Sequence, residues 1–368
     1  MDSVRLLLVL LAFAAPAQPL AGQSPSISPD DLRLVVEIPA AGDEIFFARV
    51  AGITVAAGGR IFVLDADRKE PSIRAFRADG AFIGNVGRVG SGPGEYRQPG
   101  SILLRGNELV VPDAQQRRWV RFTLEGTPVR TERFGADESR SGVTPYALRG
   151  GATLVFASAI FSSDPAVGYD PHHRLLFRSV GAASFDTIGV FRSEFIGYRS
   201  SSRFGMTSSG VGNGGAWALS GDSLLAVANG YDGSVRWYAI QDGHAHGVRS
   251  ATVAGESRPV TSRDRSRLHD RLRRELPGSE GLTFDDPPPV WSRITRALFA
   301  DDGALWMGRP SDQSGTLWTV FPSDRRAEPY TVAVPPGFTL YAVHSGRLYG
   351  SATADDEPVV RAYLLPGR

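Results

Sequence analysis

Hydrophobic positions fall into short alternating runs separated by glycine- and acid-marked turns, the signature of antiparallel hairpins rather than helices. Two windows superpose. In the first, Gly59-Arg60 leads into Ile61-Phe62-Val63-Leu64-Asp65, then Ile73-Arg74-Ala75-Phe76 precedes an Asp79-Gly80 turn. In the second, Asn107-Glu108 leads into Leu109-Val110-Val111-Pro112-Asp113, then Trp119-Val120-Arg121-Phe122 precedes Glu125-Gly126. Each reads as an apolar strand ending in aspartate, a polar loop, an alternating strand ending in an aromatic ring, and a tight turn into another strand. Further copies begin near Gly151, Gly221, Asp302 and Ser345, with partner runs at 174–177, 235–238, 317–321 and 359–363. Where nothing is inserted the period is about 45 residues, the size of a four-stranded propeller blade.

Let the strands of a blade be A to D from the axis outward. The sixth copy ends at Leu365 without a strand D, while an orphan strand, Leu32-Arg33-Leu34-Val35-Val36-Glu37-Ile38, precedes the first copy. Pairing the orphan with the last strand C closes a ring and removes an aggregation-prone edge. The predicted fold is therefore all-β: a six-bladed β-propeller of four-stranded antiparallel blades, closed by the N-terminal strand, in a single domain over 31–368. Insertions at 191–215 and 255–293 interrupt the period. The second carries Leu268, Leu272 and Leu276 at helical spacing, with Thr261 or Ser262 able to cap the start and Pro277-Gly278 the end, which predicts one short helix.

Ahead of the repeats, Arg5 is followed by an apolar run over 6–15 and then by small residues and prolines. That run is about ten residues, too short for the roughly 20 of a spanning helix. It reads as a signal peptide over 1–22, cleaved after Ala17 or Gly22, and so as export to the periplasm or medium. No later window is long and apolar enough to span a membrane. The chain has no cysteine, which excludes disulfides, thiolate chemistry and cysteine metal sites. The net charge of +1 provides no global field for nucleic acid or anionic membrane. Lys69 is the only lysine, a bias we assign to genome composition.

The string GRVGSGPGEYRQP at 87–99 resembles the G-R-x-G-x-G-P-G-E-[FY]-x-x-P linker of the NHL-type, TolB-like six-bladed propellers common among secreted bacterial proteins. The aspartates after strand B (Asp65, Asp113), the Asp302-Gly303-Ala304-Leu305-Trp306 strand and Val334-Pro335-Pro336-Gly337-Phe338 before the last blade are similar to that group as well. Copies three to six lack the aspartate. The resemblance implies architecture and says almost nothing of activity. Read physically, the linker's glycines and proline specify tight turns, with Tyr96 packing between blades and Glu95 meeting backbone amides or an arginine. It lacks the Lys-Ser/Thr and following helix of a phosphate-binding loop.

In a propeller, D–A linkers and B–C loops share one face, and A–B and C–D turns the other. The linker at 87–99 and both insertions fall on the first face, where they can wall a pocket at the channel mouth. The candidate ligand-binding residues are Arg88, Glu95, Tyr96, Asp65, Asp113, Arg192, Glu194, Tyr198, Arg199 and Arg203. The pairs His172-His173 and His244-His246 fall on opposite faces, so a joint zinc site is not expected. Inner strands such as Ile53-Thr54-Val55-Ala56, Ile102-Leu103-Leu104, Trp217-Ala218-Leu219 and Ala297-Leu298-Phe299 offer none of the Glu, Asn and Asp cation ligands of propeller lactonases. No G-x-S-x-G elbow or spaced acid–base pair stands out. The aspartate doublets at 285–286, 301–302 and 355–356 read as solvated turns. The expectation is a binding propeller for a peptide, glycan or protein, without cofactor or metal. The alternatives are a metal-dependent lyase or hydrolase at the channel, and a structural component of the cell envelope.

Overall fold

The computed structural model describes residues 26–40, 45–134, 143–148, 151–157, 172–200, 204–209, 214–255, 257–276, 281–311 and 315–367; the leader reading over 1–22 and Arg203 lie outside them. Six sheets follow the predicted repeat. Blade 1 runs Val50–Val55, Ile61–Asp65, Ser72–Phe76 and Phe82–Asn85; blade 2 runs Leu103–Arg105, Glu108–Asp113, Arg118–Thr123 and Pro128–Arg133. Blade 3 is Val143–Ala147, Thr153–Ala157, His172–Arg178 and Asp186–Arg192; blade 4 is Gly215–Ser220, Leu224–Asn229, Ser234–Gln241 and His244–Thr252. Blade 5 comprises Arg296–Phe299, Leu305–Ser311, Gly315–Phe321 and Tyr330–Ala333.

Blade 6 takes Thr339–His344, Arg347–Ala354 and Glu357–Leu364 from the C-terminal end, and its outer strand is Arg33–Ile38, antiparallel to strand C from Arg33 opposite Leu364 to Ile38 opposite Val360. The ring therefore closes as expected. The N-terminal segment does one thing more. Ser26–Ile27 lies parallel to strand D of blade 5, so the segment fastens blade 5 before it completes blade 6.

Blades are sandwiched by their neighbours, which is why strand B of blade 1, Ile61–Asp65, is buried at every position and reads as a continuous apolar run. The core is a set of inter-blade clusters. Val36, Ile38, Val50 and Ile61 pack between blades 6 and 1; Phe62, Leu64, Tyr96 and Phe122 between blades 1 and 2. Other clusters join blades 3 and 4, 4 and 5, and 5 and 6, the last around Trp306 and Trp318.

The insertions form one lobe. Phe195–Arg199 pairs with Phe204–Ser208 from the first insertion and with Thr283–Phe284 from the second. The predicted helix spans Ser262–Glu275, and its start is a reciprocal cap: Thr261 Oγ1 accepts the Asp264 N–H at 3.2 Å, and the Asp264 carboxylate accepts the Thr261 N–H at 3.0 Å. Leu268 and Leu272 pack on Ile196, with Leu276 and Phe284 at the edge. Arg271 Nη2 also donates to the Ser208 carbonyl at 3.0 Å.

Candidate functional site

The predicted site residues separate into two groups. Asp65 and Asp113 are buried at the ends of their B strands. Asp65 accepts the Ala48 and Arg49 N–H groups at 3.1 and 2.8 Å, with the Arg74 guanidinium at 3.5 Å. Asp113 accepts the Arg97 and Gln98 N–H groups at 3.0 and 3.1 Å, with Arg118 at 3.7 Å. Both carboxylates thus tie the chain arriving at strand A to the end of strand B, and blades 1 and 2 repeat the device.

Glu95 accepts the Gly92 N–H and an Arg88 N–H, each at 2.7 Å; the Gly92 amide first, and Arg88 after it, hold its carboxyl below the usual range. Gly87 and Gly94 take positive φ, and a Cβ on Gly87 would sit 2.8 Å from both the Gly94 carbonyl and the Phe122 ring, so glycine is required there. Tyr96 is buried between blades 1 and 2, its hydroxyl accepting the Ile73 N–H and donating to the Val86 carbonyl, both at 3.0 Å. Burial pushes its phenol up to about 12.

The second group belongs to the lobe. Arg192 Nη2 donates to the Asp286 carbonyl at 3.0 Å; Glu194 accepts the Ser208 hydroxyl at 3.3 Å; Tyr198 faces Phe284; Arg199 is paired with Asp285. Asp285 is therefore engaged, unlike the solvated turn expected for its doublet.

Two cavities occupy the channel, and none of these residues lines either. The larger, about 440 Å³, is walled by inner strands of all six blades, through Ile53, Ile102, Tyr146, Trp217, Leu298 and Tyr341. It extends to the A–B turns at Gly221, Asp301 and His344. The smaller, about 250 Å³, lies at the insertion-bearing end between blades 3, 4 and 5, lined by Phe156, His173, Phe191, Trp217 and Arg296. Trp217 borders both. Its ring meets Tyr146 edge-on at 5.1 Å and Phe156 at 6.0 Å, and burial pushes the Tyr146 phenol up to about 12. Arg296 lies over the Tyr341 ring at 5.3 Å.

One acid–base pair escaped the sequence reading. His344 Nδ1 is 3.3 Å from Asp301 Oδ2, and Asp301 also accepts the Ser345 N–H at 3.0 Å. Asp301 sits in the A–B turn of blade 5 and His344 at the end of an inner strand of blade 6, so only ring assembly joins them; Asp301 is the exposed turn residue expected, and it is also paired. His172-His173 begin a strand C and His244 a strand D, at opposite ends of their blades. Among the described residues no three His, Asp or Glu side chains come together to hold a metal ion, and no helix is long and apolar enough to cross a membrane.

Residues 41–147 match the DUF5128 family, described as a 6-bladed beta-propeller. The chain is a six-bladed β-propeller. No curated protein matches it. Solved structures similar to the propeller include a protein described as exported from Bacteroides fragilis, at 12% identity over 92% of this chain and 98% of that one (TM-score 0.48). A DUF4221 member from Bacteroides vulgatus matches at 11% identity over 91% and 98% (TM-score 0.47). Regucalcin, a calcium-binding protein of Agrobacterium tumefaciens, matches at 9% over 92% and 95% (TM-score 0.43). At these identities the likeness is one of fold.

Proposed function

We propose that this propeller is an extracytoplasmic, non-catalytic binding protein of the NHL-like kind, recognising a peptide, glycan or protein partner at the insertion-bearing mouth of its channel. The reading is carried by the joining of two insertions, far apart in sequence, into one lobe on the face where the aromatic pocket of Phe156, Phe191 and Trp217 opens. A ring of short loops needs no such lobe for stability, whereas a recognition surface beside a pocket gains reach from one. The leader-like residues 1–22 support export, and the linker at 87–99 supports the NHL-type affiliation.

The test is a random-peptide display library and a glycan array probed with the purified protein, followed by calorimetric titration of the recovered ligand. Trp217→Ala and Arg199→Ala should each weaken it about tenfold or more, the effect of losing a contact residue at an interface centre. A ligand held equally by both variants and the parent overturns the proposed location.

A further inference from the structure

Hydrophobic clusters close five of the six seams between blades; among the described residues none closes the seam between blades 2 and 3. Val110, Trp119 and Val155 are buried there, but the face that blade 2 presents is charged. Strand alternation puts Arg105, Glu108, Arg121 and Glu132 on that face. Arg121 is held between Glu108 at 3.1 Å and Glu132 at 2.8 Å, and Arg130 takes their other oxygens at 3.1 and 2.8 Å. Two carboxylates are thus shared by two guanidiniums, and a third, Arg105, is left over.

Arg105 stands opposite Glu108 in the strand ladder, yet its guanidinium makes no hydrogen bond or ion pair among the described residues. It lines the large channel cavity and also a small crevice that runs into the seam beside Trp119, Arg121 and Tyr146. Burial, and then Arg121, push its pKa down, while Asp222 and Glu132 push it back up. An arginine stays charged in proteins, and this half-buried one turns to the cavity rather than to a directly bonded carboxylate. Across the channel, Asp301 is already engaged by His344 and Ser345.

A ligand in the cavity can therefore give Arg105 the direct counter-ion that the described residues do not. A carboxylate suits a guanidinium fork because two parallel N–H···O bonds can form. Tyr146 shares the crevice with Arg105, and Tyr146, Trp217 and Ile102 line the same cavity, so a flat aromatic ring suits the rest of the ligand. We propose that the A–B-turn end of the channel binds a small aromatic carboxylate, with its carboxylate on Arg105 and its ring against Tyr146 and Trp217. This site lies towards the end of the channel opposite the insertion lobe; it shares Trp217 with the pocket proposed there, whereas Arg105 lines this one alone of the two.

The experiment is calorimetric titration of benzoate and indole-3-acetate against their neutral isosteres, benzamide and indole-3-acetamide, with melting temperatures measured in parallel. The acids should bind at least about tenfold more tightly than the amides, a difference of about 1.4 kcal/mol. Arg105→Met should abolish the preference, and Arg105→Lys should retain part of it. The ligand-free Arg105→Met protein should melt at the same temperature as the parent or higher, because a half-buried charge that makes no hydrogen bond has been removed. Equal binding of acids and amides, binding unchanged by Arg105→Met, no binding of either acid, or a lower melting temperature for ligand-free Arg105→Met would each overturn the proposal, the last by making Arg105 a structural pillar.

Discussion

The Tyr96 hydroxyl serves both the Ile73 amide and the Val86 carbonyl at the junction of blades 1 and 2. Removing it leaves a buried donor and acceptor unmet, so Tyr96→Phe should destabilise by about 1–3 kcal/mol in urea unfolding. Ionisation acts in the same direction. The phenols of Tyr96 and Tyr146 titrate near 12 in the folded protein and near 10 when unfolded. Between those values the unfolded state gives up protons that the folded state keeps, so stability is undiminished below pH 10 and falls as pH rises towards 12. The slope should approach about 1.4 kcal/mol per pH unit for each phenol. Tyr96→Phe should therefore flatten the decline of melting temperature with pH over that interval, and an unchanged decline would mean that Tyr96 is already ionisable in the native state. The linker's tyrosine and glutamate were legible as structural residues from the string at 87–99. The work of Asp65 and Asp113 was not, because their partners are backbone amides, which no side-chain pattern marks.

In the lobe, the helix was legible and the sheet beneath it was not. Leucines at every fourth residue and a capping threonine are local signals, and they placed the helix within a residue of Ser262–Glu275. The pairing of Tyr198 with Phe284 bridges two insertions through the whole of blade 4, and nothing near either residue announces it. The helix has few apolar anchors, Leu268 and Leu272 being the buried ones, and so depends on them more than a core helix would. Leu272→Ala should cost about 2–5 kcal/mol, enough to release the helix while the blades stay folded. Limited proteolysis should then cut first within 262–276, with the melting of the ring preserved. If helix and ring melt together at a lowered temperature, the lobe is a load-carrying part of the propeller rather than an appendage.

At the scale of the ring, closure was readable from one surplus strand, because an orphan at one end and a vacancy at the other have a single economical solution. Ile38 is fully buried in the cluster joining blades 6 and 1, so Ile38→Ala should cost about 2–5 kcal/mol and, by freeing the outer strand of blade 6, should promote concentration-dependent association visible in size-exclusion chromatography. The cavity around Arg105 and the Asp301–His344 pair were illegible, since each forms only when non-adjacent parts of the chain are brought round the axis. The same assembly makes one joint unlike the rest. Five seams are held by apolar contact, which salt does not weaken, whereas blade 2 turns a network of Arg121, Arg130, Glu108 and Glu132 towards blade 3. Those charges satisfy one another within blade 2 and supply little adhesion across the seam; the pairs of the half-exposed Arg130 contribute only about 0–1 kcal/mol each. Local opening should therefore begin there. Amides of the inner strands Leu103–Arg105 and Val143–Ala147 should exchange hydrogen faster than those of Val50–Val55 and Thr339–His344, which flank the apolar joint of blades 6 and 1. An aromatic acid on Arg105 would neutralise the surplus charge at that seam and slow exchange there before it does so elsewhere. Uniform exchange across all six inner strands would show instead that Val110, Trp119 and Val155 hold blades 2 and 3 together as firmly as the larger clusters hold the others.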